Sequence, residues 1–148
     1  MKKPYLAAHL HFEGADSFSR LDFDQREIRK GFKKVGRLVQ KEARKLTGRS
    51  KTRSSADGYP QQRTGQLKKS IRPRVSKSGF MVKIMPTKSA GMKAYYPAYL
   101  YYGVRGVQKE RGGGWRIDPR KNFMADALQK SKHRIGSILG SSFANALK

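Results

Sequence analysis

Apolar residues between positions 24 and 46 recur at the spacing of a helix. The steps between them are 4, 3, 4, 4 and 3 residues, through Ile28, Phe32, Val35, Val39, Ala43 and Leu46. These steps place one apolar stripe on an α-helix. Asp24, with Glu27 three residues later, fits a capping box at its start, and Gly48 lies where a C-terminal cap belongs. The pattern therefore predicts a long amphipathic helix over residues 24–46.

Two glycines interrupt this predicted helix. Gly31 and Gly36 each weaken a helix by about 1 kcal/mol relative to alanine. They predict either close packing at these two positions or a helix that is poorly stable outside an assembly.

A second helical pattern occupies residues 122–147. Its predicted apolar face consists of Met124, Leu128, Ile135, Ile138, Leu139 and Phe143. Asp118, followed by Pro119, is the predicted cap at the start of this helix.

Strand-like alternation lies between the two helices. Ile71, Pro73 and Val75 alternate with basic residues, and a similar alternation from Phe80 follows a Lys-Ser-Gly turn. We expect a hairpin of residues 70–75 with 80–85, with Pro73 on an edge strand because proline donates no ladder hydrogen bond. Residues 5–12 alternate as a further short strand. The order of elements predicts an α+β fold, with the long N-terminal amphipathic helix and the C-terminal helix packed on a small antiparallel sheet.

The length of 148 residues indicates a single domain over residues 1–148. Within it we expect an N-terminal arm at 1–23, a flexible basic loop at 49–62 and a glycine-rich hairpin loop at 106–116, with Trp115 and Ile117 on the return of that hairpin. A segment with five tyrosines between Tyr95 and Tyr102 fits a short helix and an extended strand equally well.

The charge balance calls for an anionic partner. The chain has 34 basic and 10 acidic residues, a net charge of +24, and such an imbalance destabilises an isolated compact monomer through self-repulsion. Residues 25–46 alone carry nine basic and two acidic residues. Nucleic acid and an acidic protein surface both remain candidates. The predicted electrostatic contact residues are Lys30, Lys33, Lys34, Arg37 and Lys41.

Catalytic chemistry is poorly represented. The chain has no cysteine, which excludes disulfides and thiol catalysis. His9 and His11 lack the further ligands that a metal site needs, and the glycines at 112–114 belong to no phosphate-loop motif. We predict no enzyme activity, no catalytic residue, no cofactor and no metal. No apolar run reaches the length of a membrane span, and the start of the chain is not typical of a secretory signal.

Three stretches in order, YPQQRTGQLKKSI, YYPAYLYYGVRG and IDPRKNFMADAL, carry a family resemblance. The chain resembles the phage neck and tail-completion proteins, small basic virion proteins of long-tailed bacteriophages. Pro60 lies one residue farther from Arg63 than in the family pattern, Tyr101 replaces an acidic residue, and three residues separate Pro119 from Phe123. The matching residues are Arg63, Thr64, Gly65, Leu67, Ser70, Ile71, Tyr96, Pro97, Tyr99, Tyr102, Gly103, Pro119 and Phe123.

The resemblance implies a structural role for these residues. Thr64 and Gly65 would form a turn that launches the first strand of the hairpin, and Gly103 would end the tyrosine segment where a Cβ would obstruct. Family membership implies a homo-oligomeric ring, expected as a hexamer, that caps the tail and docks it to the head connector or stopper protein. The tail tube protein would be its other neighbour, genomic DNA a non-specific contact, and the virion tail or neck its location after assembly in the host cytoplasm.

Two other functions stay open at this point. One is a sequence-independent nucleic-acid-binding protein associated with ribosomes or the nucleoid, and the other is an assembly factor absent from the finished particle. The tyrosine segment also has two possible roles. Its side chains would stack on bases in a nucleic-acid-binding protein, whereas in a ring they would pack within the subunit or form a subunit contact. We favour packing or a subunit contact for Tyr99 and Tyr102.

Overall fold

The computed structural model describes residues 8–11, 23–47, 58–61, 64–92, 94–105 and 115–147. Its elements in chain order are β1 (Ala8–His11), α1 (Gln25–Leu46), α2 (Gln66–Ser70), β2 (Ile71–Val75), β3 (Met81–Pro86), α3 (Tyr96–Tyr102), β4 (Val104–Arg105), β5 (Trp115–Ile117) and α4 (Phe123–Ala146). Helix α1 packs on β2 and β3, and α4 lies along α1 and touches β1. The predicted α+β fold is therefore confirmed.

The larger sheet has three antiparallel strands in the order β1-β3-β2. Alternate residues of β3 are buried, and Val82 and Ile84 are fully inaccessible to solvent. The predicted hairpin is confirmed, and β2 lies at an edge, as Pro73 required. Residues 8–11, within the stretch 5–12 predicted as a short strand in the N-terminal arm, form the other edge strand, with Ala8 paired to Ile84.

Helix α1 begins where the sequence predicted, but only half of the expected capping box forms. Asp24 Oδ1 accepts a hydrogen bond from the Arg26 N–H at 2.9 Å. The Asp24 N–H donates to the Ala146 carbonyl at 2.9 Å instead of to Glu27, and Glu27 pairs with Lys30. The end of α4 therefore supplies the acceptor that a capping box would have taken from within α1. At the other end of α1, Thr47 is the cap residue, and Gly48 lies outside the described residues.

The two glycines of α1 mark its closest approaches to other elements. A Cβ placed on Gly31 would lie 2.5 Å from Ser142 Oγ in α4. A Cβ placed on Gly36 would lie 2.8 Å from Pro73 Cβ in the sheet. Of the two alternatives that the sequence offered for these glycines, the structure shows close packing.

Helix α4 spans the predicted residues, but its predicted cap is wrong. Asn122 is the N-cap, and its Oδ1 accepts from the N–H groups of Met124 and Ala125 at 3.1 Å each. Asp118 is exposed and precedes the helix by several residues. The predicted apolar face does pack inward, with Met124 fully buried and the other residues buried or partly buried against the core.

The tyrosine segment forms α3, which resolves the ambiguity in the sequence in favour of a short helix. Gly103 ends this helix at φ 71° and ψ 173°, a backbone conformation that is essentially restricted to glycine. This backbone conformation therefore explains why the residue that ends the tyrosine segment is a glycine. Strands β4 and β5 pair antiparallel beyond it, which confirms the predicted hairpin, while residues 106–114 between them lie outside the described residues.

The sequence did not predict α2. Gly65 precedes it with φ 74°, a left-handed conformation that favours glycine. The turn at Thr64 and Gly65 therefore leads into one turn of helix, and not directly into the strand as expected. The Ser70 hydroxyl donates to the Leu67 carbonyl at 2.7 Å within this helix, and β2 begins at the next residue.

Candidate functional site

The outer face of α1 is cationic, as the apolar stripe predicted. Lys33, Lys34 and Arg37 are exposed, while Phe32 and Val35 on the opposite side are fully buried. The complete set of predicted electrostatic residues is exposed: Lys30, Lys33, Lys34, Arg37 and Lys41. The helix thus displays a row of positive charges along its solvent side.

Two ion pairs within α1 partly offset this charge. Lys30 pairs with Glu27, whose hydrogen bond and charge raise the pKa of Lys30. Lys45 Nζ lies 2.7 Å from Glu42 Oε1, and this hydrogen bond lowers the pKa of Glu42. Both acidic residues of the helix are therefore engaged by lysines of the same helix. For the remaining cations of this face, the described part of the chain shows no ion pair with a carboxylate.

Four of the five tyrosines between Tyr95 and Tyr102 divide into two groups. The Tyr95 hydroxyl donates to the Pro86 carbonyl at 2.9 Å, and Tyr96 is partly buried against the hydrophobic core. Burial raises the pKa of both of these phenols. Tyr95 therefore attaches the segment around α3 to the end of β3, and Tyr96 packs against the core, so both have a packing role.

Tyr99 and Tyr102 have a different environment, because each is 46% exposed. Packing within the subunit therefore covers only part of each side chain, and the prediction of packing or a subunit contact for this pair stays a prediction. The Tyr102 ring meets the edge of the Tyr101 ring at a centroid distance of 4.8 Å and an interplanar angle of 82°. The exposed pair, called here the tyrosine patch, is held on a folded helix and faces solvent. Its geometry suits contact with another molecule.

Several other predicted motif residues serve the fold. Leu67 and Phe123 are buried, at 7% and 1% exposure. Thr64 is exposed beside Gly65 at the start of α2, and Arg63 lies outside the described residues. The first and third motifs therefore contribute core and turn residues around the sheet and α4.

An anchor that the sequence did not reveal joins residues 58–61 to the start of α4. The Tyr59 hydroxyl donates to Asp126 Oδ2 at 2.7 Å. The Lys121 ammonium lies 5.8 Å from the centre of the Tyr59 ring, and the Lys121 N–H donates to the Gly58 carbonyl at 2.9 Å. No sequence periodicity connects these residues, since 67 positions separate Tyr59 from Asp126.

The sheet has a second surface that the sequence reasoning also overlooked. Ile71 is buried, whereas Arg72 and Arg74 of the same strand are exposed. In the neighbouring strand, Met85 lies opposite Arg72, and Lys83 lies opposite Arg74. This surface, called here the outer sheet face, is turned away from α1. The only signal in the sequence was the alternation of arginine with apolar residues in β2.

The described residues contain no group of three or more histidine, cysteine or acidic side chains placed to hold a metal ion. None of the helices in that same part of the chain has the length and apolar character needed to cross a membrane. Comparisons with protein-family models, with curated proteins and with solved structures give no match for this chain.

Proposed function

We propose that the protein is a structural subunit of the phage head–tail junction, a neck, tail-completion or tail-terminator protein that assembles into a ring. The observation that carries the proposal is the presence of two chemically different exposed surfaces on one small subunit. One is the cationic face of α1 and the other is the tyrosine patch of α3. A ring closes through head-to-tail contacts, in which each subunit offers two different surfaces.

The tyrosine patch is the proposed contact between ring subunits. Tyrosine is enriched at protein interfaces because its ring buries apolar area while its hydroxyl keeps a hydrogen-bonding group. Tyr99 and Tyr102 are each nearly half exposed in the single chain. Covering them with a neighbouring subunit would remove this apolar area from water, which favours association.

The cationic face of α1 is the proposed contact with a neighbouring virion protein, the head connector or stopper or the tail tube. In a ring this row of charges repeats in every subunit, so it forms a continuous positive band. A wall that attracts DNA strongly would slow the passage of the genome, and this favours an acidic protein surface as the partner of this face. Such a contact weakens as salt screens the charges.

The ring is tested on the purified full-length protein by electron microscopy and sedimentation. The double variant Tyr99→Ala and Tyr102→Ala is expected to keep its fold, because both side chains are half exposed, and to lose the ring. The matched control, Tyr99→Phe with Tyr102→Phe, retains both rings of the side chains and should still assemble. An alanine variant that forms normal rings but has lost affinity for DNA would show that the tyrosines stack on bases instead.

The role of α1 is tested in phage particles by reversing the charge of Lys33, Arg37 and Lys41 to glutamate. If the face binds a neighbouring protein, heads and tails should accumulate separately. If it lines the channel, heads and tails would join, but genome retention or ejection would be disturbed. Particles that join and infect normally would rule out both roles for this face.

The second candidate function is sequence-independent binding of cellular nucleic acid, which the net charge of +24 favours. A protein that stays monomeric and binds nucleic acid with a steep dependence on salt would support it over the ring. The composition of purified virions separates the proposed function from that of an assembly factor, because only a structural subunit remains in the finished particle.

A further inference from the structure

The exposed apolar side chains of the protein lie in its uncharged stretches. The two longest runs without aspartate, glutamate, lysine or arginine are residues 135–147 and 94–104. Among the described residues, the large hydrophobic side chains that are exposed are Leu147, at 54%, and Tyr99 and Tyr102, at 46% each. Leu147 belongs to the first run and the tyrosine patch to the second. Charge and apolar exposure therefore single out the same two places on the subunit.

The second half of α4 presents a neutral surface. The first half carries exposed cations, among them Lys132 and Arg134, whereas no residue from Ile135 to Leu147 is charged. This surface, called here the neutral face of α4, consists of exposed small and polar residues followed by a leucine: Gly136, Ser137, Gly140, Ser141, Ala144, Asn145 and Leu147. A Cβ on either glycine would meet no atom within 4 Å, so no side chain of the described residues covers the helix at these two positions.

The tyrosine patch and the neutral face lie towards opposite ends of α4. Helix α3 sits beside the start of α4, because the Arg120 N–H donates to the Leu100 carbonyl at 2.7 Å, and Leu100 and Phe123 line the same crevice. A helix rises about 1.5 Å per residue, so the neutral face begins about 20 Å along the axis from Phe123 and ends about 36 Å from it, at Leu147. One subunit therefore cannot cover its tyrosine patch with its own neutral face.

We propose that the neutral face of α4 binds the tyrosine patch of a second copy of this chain. The inference rests on the proposed function, because it supplies the second surface that the ring contact requires. A head-to-tail contact joins two different surfaces. Since the cationic face of α1 is assigned to another virion protein, the tyrosine patch needs a different counterpart. Surfaces at two ends of a subunit suit this contact, because each copy can then offer one surface to each of its neighbours.

The charge of the chain restricts where two copies can meet. Each copy carries a net charge of +24, and like charges brought together across an interface are costly. A contact between residues 94–104 of one copy and 135–147 of the next brings together two runs that contain no charged residue. An acidic protein would gain no ion pair on the neutral face, and the phosphates of nucleic acid bind to lysine and arginine, which this face lacks. Its neutrality therefore favours a second copy as the occupant.

The two surfaces are also chemically matched. The rings of Tyr99 and Tyr102 and the side chain of Leu147 would bury apolar area against one another, which favours association. A buried tyrosine hydroxyl usually finds a hydrogen-bond partner, and the exposed Ser137 hydroxyl and Asn145 amide are able to provide one. The neutral face therefore offers what each part of a tyrosine side chain requires on burial.

The test mixes two full-length variants that each have one defective surface. Tyr99→Ala with Tyr102→Ala removes the tyrosine patch, and Ser141→Lys places a charge on the neutral face, where the serine is exposed. Each variant alone should sediment as a monomer. Their mixture should form heterodimers of twice the subunit mass and nothing larger, because one intact patch meets one intact face and the two remaining surfaces are defective. The matched control, Gln129→Lys, adds the same charge to an exposed position in the first half of α4 and should still form rings.

Circular dichroism shows whether the variants are folded, and Leu147→Ser, at a half-exposed side chain, replaces Ser141→Lys if that variant is not. Three results would overturn the inference: normal rings of the neutral-face variant, dimers of that variant alone, or a mixture of folded variants that stays monomeric. Dimers of the neutral-face variant alone would show that the tyrosine patch meets its own copy.

Electron microscopy of the same samples separates this inference from the proposed function. Rings of the unchanged protein that persist in the neutral-face variant refute only the contact between α4 and the tyrosine patch. Open chains of the unchanged protein that both variants abolish, with heterodimers in the mixture, support this contact and refute only the ring.

Discussion

The close approach of α1 to α4 makes a strong prediction for Gly31→Ala. The new Cβ would lie 2.5 Å from Ser142 Oγ and 2.6 Å from Ser142 Cβ, and Ser142 Cβ cannot move without the backbone of α4. Overpacking of this kind costs typically 1–3 kcal/mol, whereas replacing glycine by alanine within a helix gains about 1 kcal/mol. An overpacking cost of about 2 kcal/mol minus a helix-propensity gain of about 1 kcal/mol leaves a net loss of about 1 kcal/mol of folding stability. For a chain of this size the loss corresponds to roughly 3 °C in Tm.

The control is a glycine of α4 with open surroundings. A Cβ on Gly140 would meet no atom within 4 Å, so Gly140→Ala should stabilise the protein by about 1 kcal/mol through helix propensity alone. A rescue variant completes the design, because Ser142→Gly removes the two atoms that would lie closer than 3 Å to the Gly31 Cβ and leaves only Leu139 Cδ2 at 3.8 Å. In the double variant Gly31→Ala with Ser142→Gly, the stability changes should be non-additive, with the overpacking cost recovered as a coupling energy.

The measurement is urea unfolding followed by circular dichroism, with the free energies compared at a constant m-value. Equal stabilisation of the Gly31→Ala and Gly140→Ala variants would contradict the prediction, since α1 and α4 would then leave room for a methyl group. The prediction also fails if Gly31→Ala is destabilised but Ser142→Gly does not relieve the effect. In that case the cost would arise from some contact other than the one between α1 and α4.

Three further predictions concern single side chains. Asn122→Ala should lose about 1 kcal/mol of stability by removing the cap of α4, while Asp118→Ala should stay within about 0.5 kcal/mol, as compared by urea unfolding. Tyr59→Phe should lose about 1 kcal/mol because it removes the 2.7 Å hydrogen bond to Asp126; unchanged stability in the same assay would show that this bond contributes nothing. Burial raises the pKa of Tyr95 above 10.0, so the free energy of unfolding should fall as the pH rises from about 10 through the pKa of the folded state. Tyr95→Phe should make this fall in stability at alkaline pH smaller, as measured by urea unfolding at a series of pH values.

Local sequence patterns were sufficient to predict the long elements of the fold. The stripe from Ile28 to Leu46 specifies α1, and the alternation around Pro73 specifies an edge strand. These patterns suffice because the burial of a helix or strand face depends on residues only a few positions apart. Asp24 was predicted as a cap for the same reason, since its Oδ1 bonds to a backbone group two residues away.

Contacts between distant segments could not be predicted in this way. The Asp24 N–H bonds to Ala146, and Phe23 forms a bridge with Leu147, because the end of α4 lies beside the start of α1. Asp118, which precedes a proline, was predicted to cap α4, but Asn122 occupies the N-cap position instead. The one turn of α2 depends on the left-handed backbone at Gly65, and a five-residue helix carries too little periodicity to be recognised.

The same division holds for the candidate surfaces. The sequence alone determined that α1 carries its cations opposite its apolar stripe, because helical period fixes both faces together. Only the tertiary structure decided that Tyr95 is held by a hydrogen bond and Tyr96 packs against the core while Tyr99 and Tyr102 are exposed, since this depends on which side of α3 meets the rest of the subunit. The register of β2 and β3 placed Arg74 opposite Lys83, and the packing of α1 on one side of the sheet left the arginines exposed on the other. Exposure and juxtaposition are properties of how elements pack, and a pattern within one element cannot specify them.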